Sequence, residues 1–289
     1  MDTDLPAPRV GKHPGSLAAF NILGSISIKF FKTSAENPMS MVSIERDDGV
    51  AVVRYDRGGK ANALNLAAMD ALIDAASELA RDEHIRAVVL TGTPAVFSAG
   101  IDLKDPALWT HDDPLSTQRA LARGEALCRA WAELPQATLA AIEGPAVGGG
   151  AVLALACDWR VFSNTAFVRL PEVRLGLPLA WGGLPRLASL VGPARAKRAL
   201  FTDLQLDADT AHAWGLADSV AAAGDALHAA MALARDAAAC PPLALRLSKR
   251  AIDAQFDASR LAHAQTDQFL LCHLLSQPIA VSPPPQRSA

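Results

Sequence analysis

Phe97-Ser98-Ala99-Gly100-Ile101-Asp102-Leu103-Lys104 and Gly144-Pro145-Ala146-Val147-Gly148-Gly149-Gly150 are the two stretches on which the reading of this chain turns. Each follows an apolar run that reads as a buried strand, Ala87-Val88-Val89-Leu90 before the first and Thr138-Leu139-Ala140-Ala141-Ile142 before the second. Each loop therefore offers backbone N–H groups at a strand end, where a carbonyl oxygen gaining negative charge could accept them. Glycine suits such loops because, lacking Cβ, it takes positive φ and lets a ligand approach the backbone. The residues after Gly148 can open a helix whose first N–H groups have no internal partner. Together the two loops read as the halves of one oxyanion-binding cradle.

Outward from these loops the pattern is regular. Val50-Ala51-Val52-Val53-Arg54-Tyr55 reads as a strand, and the Gly58-Gly59 turn leads into Lys60-Ala61-Asn62-Ala63-Leu64. Asn65 caps a predicted helix in which Leu66, Met69, Leu72, Ile73, Ala76 and Leu79 share one face while Asp70, Asp74 and Glu78 face water. A second helix is predicted from Asp112 to Leu134, ended by Pro135. Past Glu172 the chain turns helical, with Gly192-Pro193 opening one helix, Gly215 closing another and helices running to about Gln277. Strands alternate with helices and hairpins are little in evidence, so helices packed on sheets are expected. The tail, residues 282–289, lacks apolar side chains apart from its last residue and is read as disordered.

Composition narrows the function classes. Of 289 residues 51% are hydrophobic, 20% charged and 5% aromatic, with a net charge of -3. Mean hydropathy is +0.17 and the pI is near 6.2. Such a chain can bury a sizeable core but has neither the basic field nor the aromatic surface that nucleic acid requires. The four cysteines, Cys128, Cys157, Cys240 and Cys272, lack the close pairing of a zinc site and read as reduced thiols of a cytoplasmic protein. No apolar run reaches the ~18 residues of a membrane span. Leu17 to Ile28, following Arg9 and Lys12, is apolar like a leader core, but no small-x-small cleavage site follows it. Residues 1–40 are read as a disordered extension, or as a stretch lying ahead of Met39 or Met41 as the true start.

Four motifs, in order and at matching spacing, resemble the crotonase (enoyl-CoA hydratase/isomerase) superfamily. They are Lys60-Ala61-Asn62-Ala63-Leu64-Asn65, Phe97 to Lys104, Gly148-Gly149-Gly150 with Ala156-Cys157-Asp158, and Leu170-Pro171-Glu172-Val173-Arg174-Leu175-Gly176-Leu177. The resemblance covers roughly Met41 to Ala258 and implies an α/β fold, a crotonase-like ββα superhelix (spiral) core with a helical C-terminal region. The implied division is an extension over 1–40, the spiral core over 41–195, a helical trimerisation region over 196–277 and a tail over 278–289. It further implies a homotrimer or dimer of trimers, an acyl-CoA thioester substrate, and no cofactor or metal beyond the coenzyme A that the substrate carries. Carried over by position, the oxyanion donors are the backbone N–H groups of Ile101 and Gly149, and Glu172 is the acid/base. The segments Lys60, Ala61, Asn62 and Ala99, Gly100, Asp102, Leu103, Lys104 are the expected coenzyme A contacts, with Gly148, Val152 and Trp181 beside the acyl group. Lys60 and Lys104 either meet phosphate or are solvated surface charges.

Three departures stand out against that pattern. Val152 occupies the position where family hydratases carry a second glutamate, and valine moves no proton. Syn hydration calls for one group to activate water and another to protonate carbon, whereas a single base above an oxyanion site can carry out isomerisation. Glu172 acts alone, or an Asp or His from elsewhere substitutes. Trp181 brings an indole to a glycine-rich segment, as a pocket wall or as a core or interface tryptophan. Around Leu261 to Pro278 the family's C-terminal acidic-Gly, aromatic and Lys-Arg signature is missing. Ser98 lacks the Gly-x-Ser-x-Gly elbow of a nucleophile, the histidines form no His-Glu-x-x-His pair, and no phosphate-loop or dinucleotide motif occurs. The rival from another class is a non-catalytic acyl-CoA-binding homologue, which Val152 favours and a retained Glu172 opposes.

Overall fold

The computed structural model describes residues 41–109 and 113–254. The extension 1–40, the tail 278–289, Cys272 and the region of the missing signature lie outside the described residues.

The chain opens with β1 (Val42–Asp47) and β2 (Val50–Tyr55), followed by α1 (Leu66–Ala80) and β3 (Ala87–Thr91). Next come α2 (Pro106–Trp109), α3 (Pro114–Ala132), β4 (Ala137–Ile142), β5 (Pro145–Val147) and α4 (Gly149–Leu155). β6 (Trp159–Ser163), β7 (Phe167–Arg169), α5 (Gly183–Val191) and α6 (Pro193–Phe201) continue it. β8 (Leu206–Asp207), α7 (Ala208–Trp214), β9 (Ser219–Ala221), α8 (Ala226–Ala238) and α9 (Pro242–Asp253) complete the described chain.

Six strands form the main sheet in the order β1-β2-β3-β4-β6-β9, all parallel except β1 at the edge. The inner strands are buried on both faces, which is why they read as continuous apolar runs rather than alternating ones. Val50, Val52, Ala87, Val89, Leu139 and Ala141 pack on one side with Ala226, Ala230 and Ala234 of α8, small residues that let the helix lie close. Ala51, Val53, Val88, Leu90, Ala140 and Ile142 belong to the other side, with α1, α3 and α4. A smaller sheet, β5-β7-β8, carries the second glycine loop. α9 is tied on by Lys249, whose Nζ lies 2.8 Å from Asp158 Oδ2 and donates to the Gln136 carbonyl at 2.9 Å.

Two expectations are corrected. β1 and β2 form a hairpin, turned by Asp48 and Gly49 at φ 42° and 81°. An Asp-Gly pair at two-residue spacing favours that mirror-image turn. The segment after residue 196 also contributes β8 and β9, of two and three residues, too short for a period-2 pattern to show. The expected α1 is present with its cap, the Asn65 side chain accepting from Ala68 N–H at 2.9 Å. α3 is capped by Asp113 and starts at Pro114 rather than Asp112, ending two residues short of Leu134.

One side chain holds the first half of the site together. Asn62, 2% exposed, donates from Nδ2 to the Tyr55 and Phe97 carbonyls, both at 2.9 Å, and accepts the Arg57 N–H at 3.0 Å. It closes a turn in which Lys60, Ala61 and Asn62 all have positive φ, near 51°, 50° and 53°. Asparagine tolerates that region better than most residues and here fills every bond it can reach. Asn62→Ala strands three buried backbone groups, and we expect it to lower stability by about 3 kcal/mol in urea titrations. A loss below about 1 kcal/mol would mean that water replaces the amide.

Candidate active site

Two isolated parallel bridges brace the glycine loops. Leu64 accepts from Asp102 N–H at 2.9 Å and donates to the Gly100 carbonyl at 2.7 Å, forming a bridge with Ile101. In a parallel bridge the partner's flanking residues make both bonds, so the amide of Ile101 itself points away from Leu64. Likewise Val147 donates to the Ser98 carbonyl at 2.9 Å, and Phe97 and Ser98 donate to the Pro145 carbonyl at 3.0 and 3.2 Å. A Cβ built on Gly100 would lie 2.6 Å from the Val147 carbonyl oxygen and 3.0 Å from the Gly149 nitrogen, so the two loops meet backbone to backbone. Gly149 is the first residue of α4, where an amide has no acceptor within the helix. Among the described residues, neither the Ile101 nor the Gly149 N–H has a backbone acceptor.

Glu172 follows β7 on a short turn, Glu172–Leu175, closed by Gly176 at φ 76°. Register with the second loop comes from Gly148, which donates to the Arg169 carbonyl at 2.9 Å. A Cβ on Gly148 would lie 2.8 Å from Glu172 Oε1, so glycine at φ 52° is what leaves room for the carboxyl group. Glu172 Oε2 is buried and, among the described residues, has no hydrogen-bond partner. Burial pushes this carboxyl up from 4.5 to about 7, partly opposed by its own backbone N–H and reinforced by the negative charge of Asp203. Asp203 is itself engaged, accepting from Arg169 Nε at 2.9 Å and Nη2 at 2.6 Å.

Val152 lies in α4 with 1% exposure, its Cγ2 2.8 Å from a Cβ built on Gly183. Trp181, 7% exposed, is part of the core, and its indole enters the joint between α3 and α4. A Cβ on Gly124 or on Gly149 would fall inside the indole's van der Waals space, so both positions admit only glycine while Trp181 is there. Trp181 has φ 56° and Gly182 φ 72°, and Arg186 Nη1 holds that turn by donating to both carbonyls at 3.1 Å.

The two expected coenzyme A segments lie side by side, joined by the Leu64–Ile101 bridge and by Ala99 N–H donating to the Ala61 carbonyl at 3.0 Å. Lys60, Leu103 and Lys104 are exposed. The side chains of Asn62 and Asp102 are engaged within the fold. Asp102 pairs with Arg57 Nη1 at 2.7 Å, both nearly buried, and accepts the Lys104 N–H at 2.9 Å. Burial alone would raise the Asp102 carboxyl, but the Lys104 amide and the Arg57 guanidinium outweigh it and hold it below its ordinary value. Ser98 is 1% exposed and its Oγ accepts the Gly100 N–H at 3.2 Å, a loop-bracing role rather than that of a nucleophile.

Sequence reading missed Arg57 and Gly124, and it noted Arg186 within the Arg-Leu pair of the family pattern without giving it a role. Arg57 and Asp102 are 45 residues apart, beyond any local pattern. Gly124 did leave a signal, since glycine inside a long helix costs about 1 kcal/mol and calls for a packing reason.

The family model described as Enoyl-CoA hydratase/isomerase matches residues 45–279. A probable enoyl-CoA hydratase of Mycobacterium bovis is 34% identical over 218 residues, covering 75% of this chain and 83% of that protein. A putative enoyl-CoA hydratase/isomerase of Bacillus subtilis is 36% identical over 215 residues, 74% of this chain and 82% of that one. The crystal structure of enoyl-CoA hydratase from Bacillus anthracis superposes with a TM-score of 0.71 at 29% identity, covering 82% of this chain and 92% of that chain. With the fold, the ordered glycine loops and these matches agreeing, the chain belongs to the enoyl-CoA hydratase/isomerase family of the crotonase superfamily.

Proposed function

We propose that this protein is an acyl-CoA isomerase-type enzyme that works with one carboxylate. The thioester carbonyl accepts the Ile101 and Gly149 N–H groups, and Glu172 takes a proton from the carbon next to that carbonyl in a 3-enoyl-CoA. The electron pair moves onto the carbonyl oxygen, where two donors stabilise it, each worth about 3 kcal/mol in the transition state. The same carboxyl group then delivers the proton to the far end of the allyl system, leaving the conjugated 2-enoyl thioester. The observation that carries this reading is the Glu172 carboxyl, buried without a partner on Oε2 beside the glycine loop. Val152 supports a single base, because a buried valine, which moves no proton, stands where family hydratases carry their second glutamate. The exposed side chains of Val173, Leu175 and Phe201 are the apolar patch we assign to contact between protomers.

A base must be ionised to act. We therefore expect kcat/KM to rise with pH through a single ionisation near 7 and then level off, since no second carboxylate supplies an opposing limb. Stability runs the other way. The folded state holds the Glu172 proton more tightly than the unfolded chain, so this group's contribution is complete below 4.5 and is lost as pH rises through about 7. Glu172→Gln removes that dependence. Its stability relative to the parent should grow by about 3 kcal/mol between those limits, read from urea midpoints across pH.

Incubation with a 3-enoyl-CoA and, separately, a 2-enoyl-CoA tests the reaction itself. The expected result is growth of conjugated-thioester absorbance from the 3-enoyl substrate at unchanged mass, slowed about 10²- to 10⁴-fold in Glu172→Gln. Gain of one water by the 2-enoyl substrate, lost in the variant, would instead make the protein a hydratase in which Glu172 suffices. Binding of both thioesters without turnover, unaltered in the variant, would make it a binding protein.

A further inference from the structure

We infer that Trp181 sets the acyl length this site accepts, restricting it to short acyl thioesters; the inference rests on the acyl-thioester reading above. Gly148, Gly149 and Gly150 have four neighbours of different kinds. On one side the wall is the backbone of Gly100, where a built Cβ would lie 2.6 Å from the Val147 carbonyl oxygen and 3.0 Å from the Gly149 nitrogen. On the Gly150 side stands Ser98, its carbonyl oxygen 2.5 Å and its own Cβ 2.7 Å from a built Cβ, with its Oγ accepting the Gly100 N–H. At Gly148 stands the carboxyl group of Glu172, which must meet the reacting carbons. The fourth neighbour, against Gly149, is the Trp181 indole, the bulkiest side chain of the four.

The indole fills volume that the backbone would otherwise leave open. It spans from Gly149 on α4 to Gly124 on α3, and glycine at both places leaves bare backbone rather than side chains around the ring. Its placement is also enforced. A bulky residue at φ 56° persists only where its surroundings hold it, and Arg186 does so through the Trp181 and Gly182 carbonyls. An acyl chain whose carbonyl oxygen sits on the Gly149 amide and whose reacting carbons face Glu172 therefore meets the ring within a few carbons.

Calorimetric titration with butanoyl-, octanoyl- and dodecanoyl-CoA, saturated thioesters that cannot turn over, tests this on the full chain. The parent should bind butanoyl-CoA most tightly. In Trp181→Ala the longer chains should gain, by about fourfold for each methylene that finds room, while butanoyl-CoA shifts little. Trp181→Phe, which keeps most of the bulk, should move octanoyl-CoA but not dodecanoyl-CoA, and stands in if the alanine variant does not fold. Gly124→Ala should lower the urea midpoint of the parent and be tolerated in Trp181→Ala, a coupling that reports the wedge independently of ligand. The same length profile in parent and both Trp181 variants overturns the inference and leaves the acyl-thioester reading standing. Failure of the parent to bind any of the three overturns both.

Discussion

Leu64 donates to one neighbour of Ile101 and accepts from the other, and in doing so turns the amide of Ile101 away from itself. Much of the site depends on that constraint. The Ser98–Ala146 bridge places Val147 to Gly150 against the first loop, and the Gly148 bond to Arg169 then sets where β7 ends and where Glu172 begins. The Ile101 amide, the Gly149 amide and the Glu172 carboxyl group are thus related through three short hydrogen-bonded steps, each between backbone atoms. Asn62 locks the near end of this chain of bonds by occupying the carbonyls of both Tyr55 and Phe97. Backbone bonds of this sort leave little rotamer freedom, which is what preorganised stabilisation of a developing charge needs.

The same arrangement carries a cost that the rest of the fold bears. A carboxyl group without a partner on one oxygen opposes folding whenever it is ionised, and its pKa near 7 records that cost. Trp181 adds a second strain, an aromatic residue in the left-handed region. Both lie on the segment from Pro171 to Gly183, and both are supported from outside it, by glycines at 148, 149 and 124 and by the Arg186 side chain. A large core on either face of a mostly parallel sheet gives the stability against which such local costs can be set.

What could be read from the sequence follows the range of the forces involved. Capping and helical periodicity act over a few residues, so α1, its Asn65 cap and the proline-limited end of α3 were legible. The buried strands were legible as apolar runs because parallel strands are covered on both faces. The β1–β2 hairpin was equally local, signalled by Asp48-Gly49, but β1 is amphipathic and half exposed and so did not stand out. β8 and β9 exist through pairing with strands dozens of residues earlier, and nothing within two or three residues announces that. The site shows the same division. Glu172 and the glycine loops were legible from motif order, whereas the engagement of Asp102 with Arg57 and the depth of Trp181 depend on contacts across the fold.

Because both donors in the proposed reaction are main-chain amides, position 101 contributes its peptide and not its side chain. Any residue but proline supplies the same N–H there, so drift in the identity of that residue leaves the chemistry in place. Length is another matter. One residue inserted between Gly100 and Asp102 would give Leu64 the wrong pair of flanking groups and rotate the amide out of the site. The site is thus written in spacing more than in letters, tolerant of substitution and intolerant of insertion. Relatives can accordingly share its frame at about a third identity.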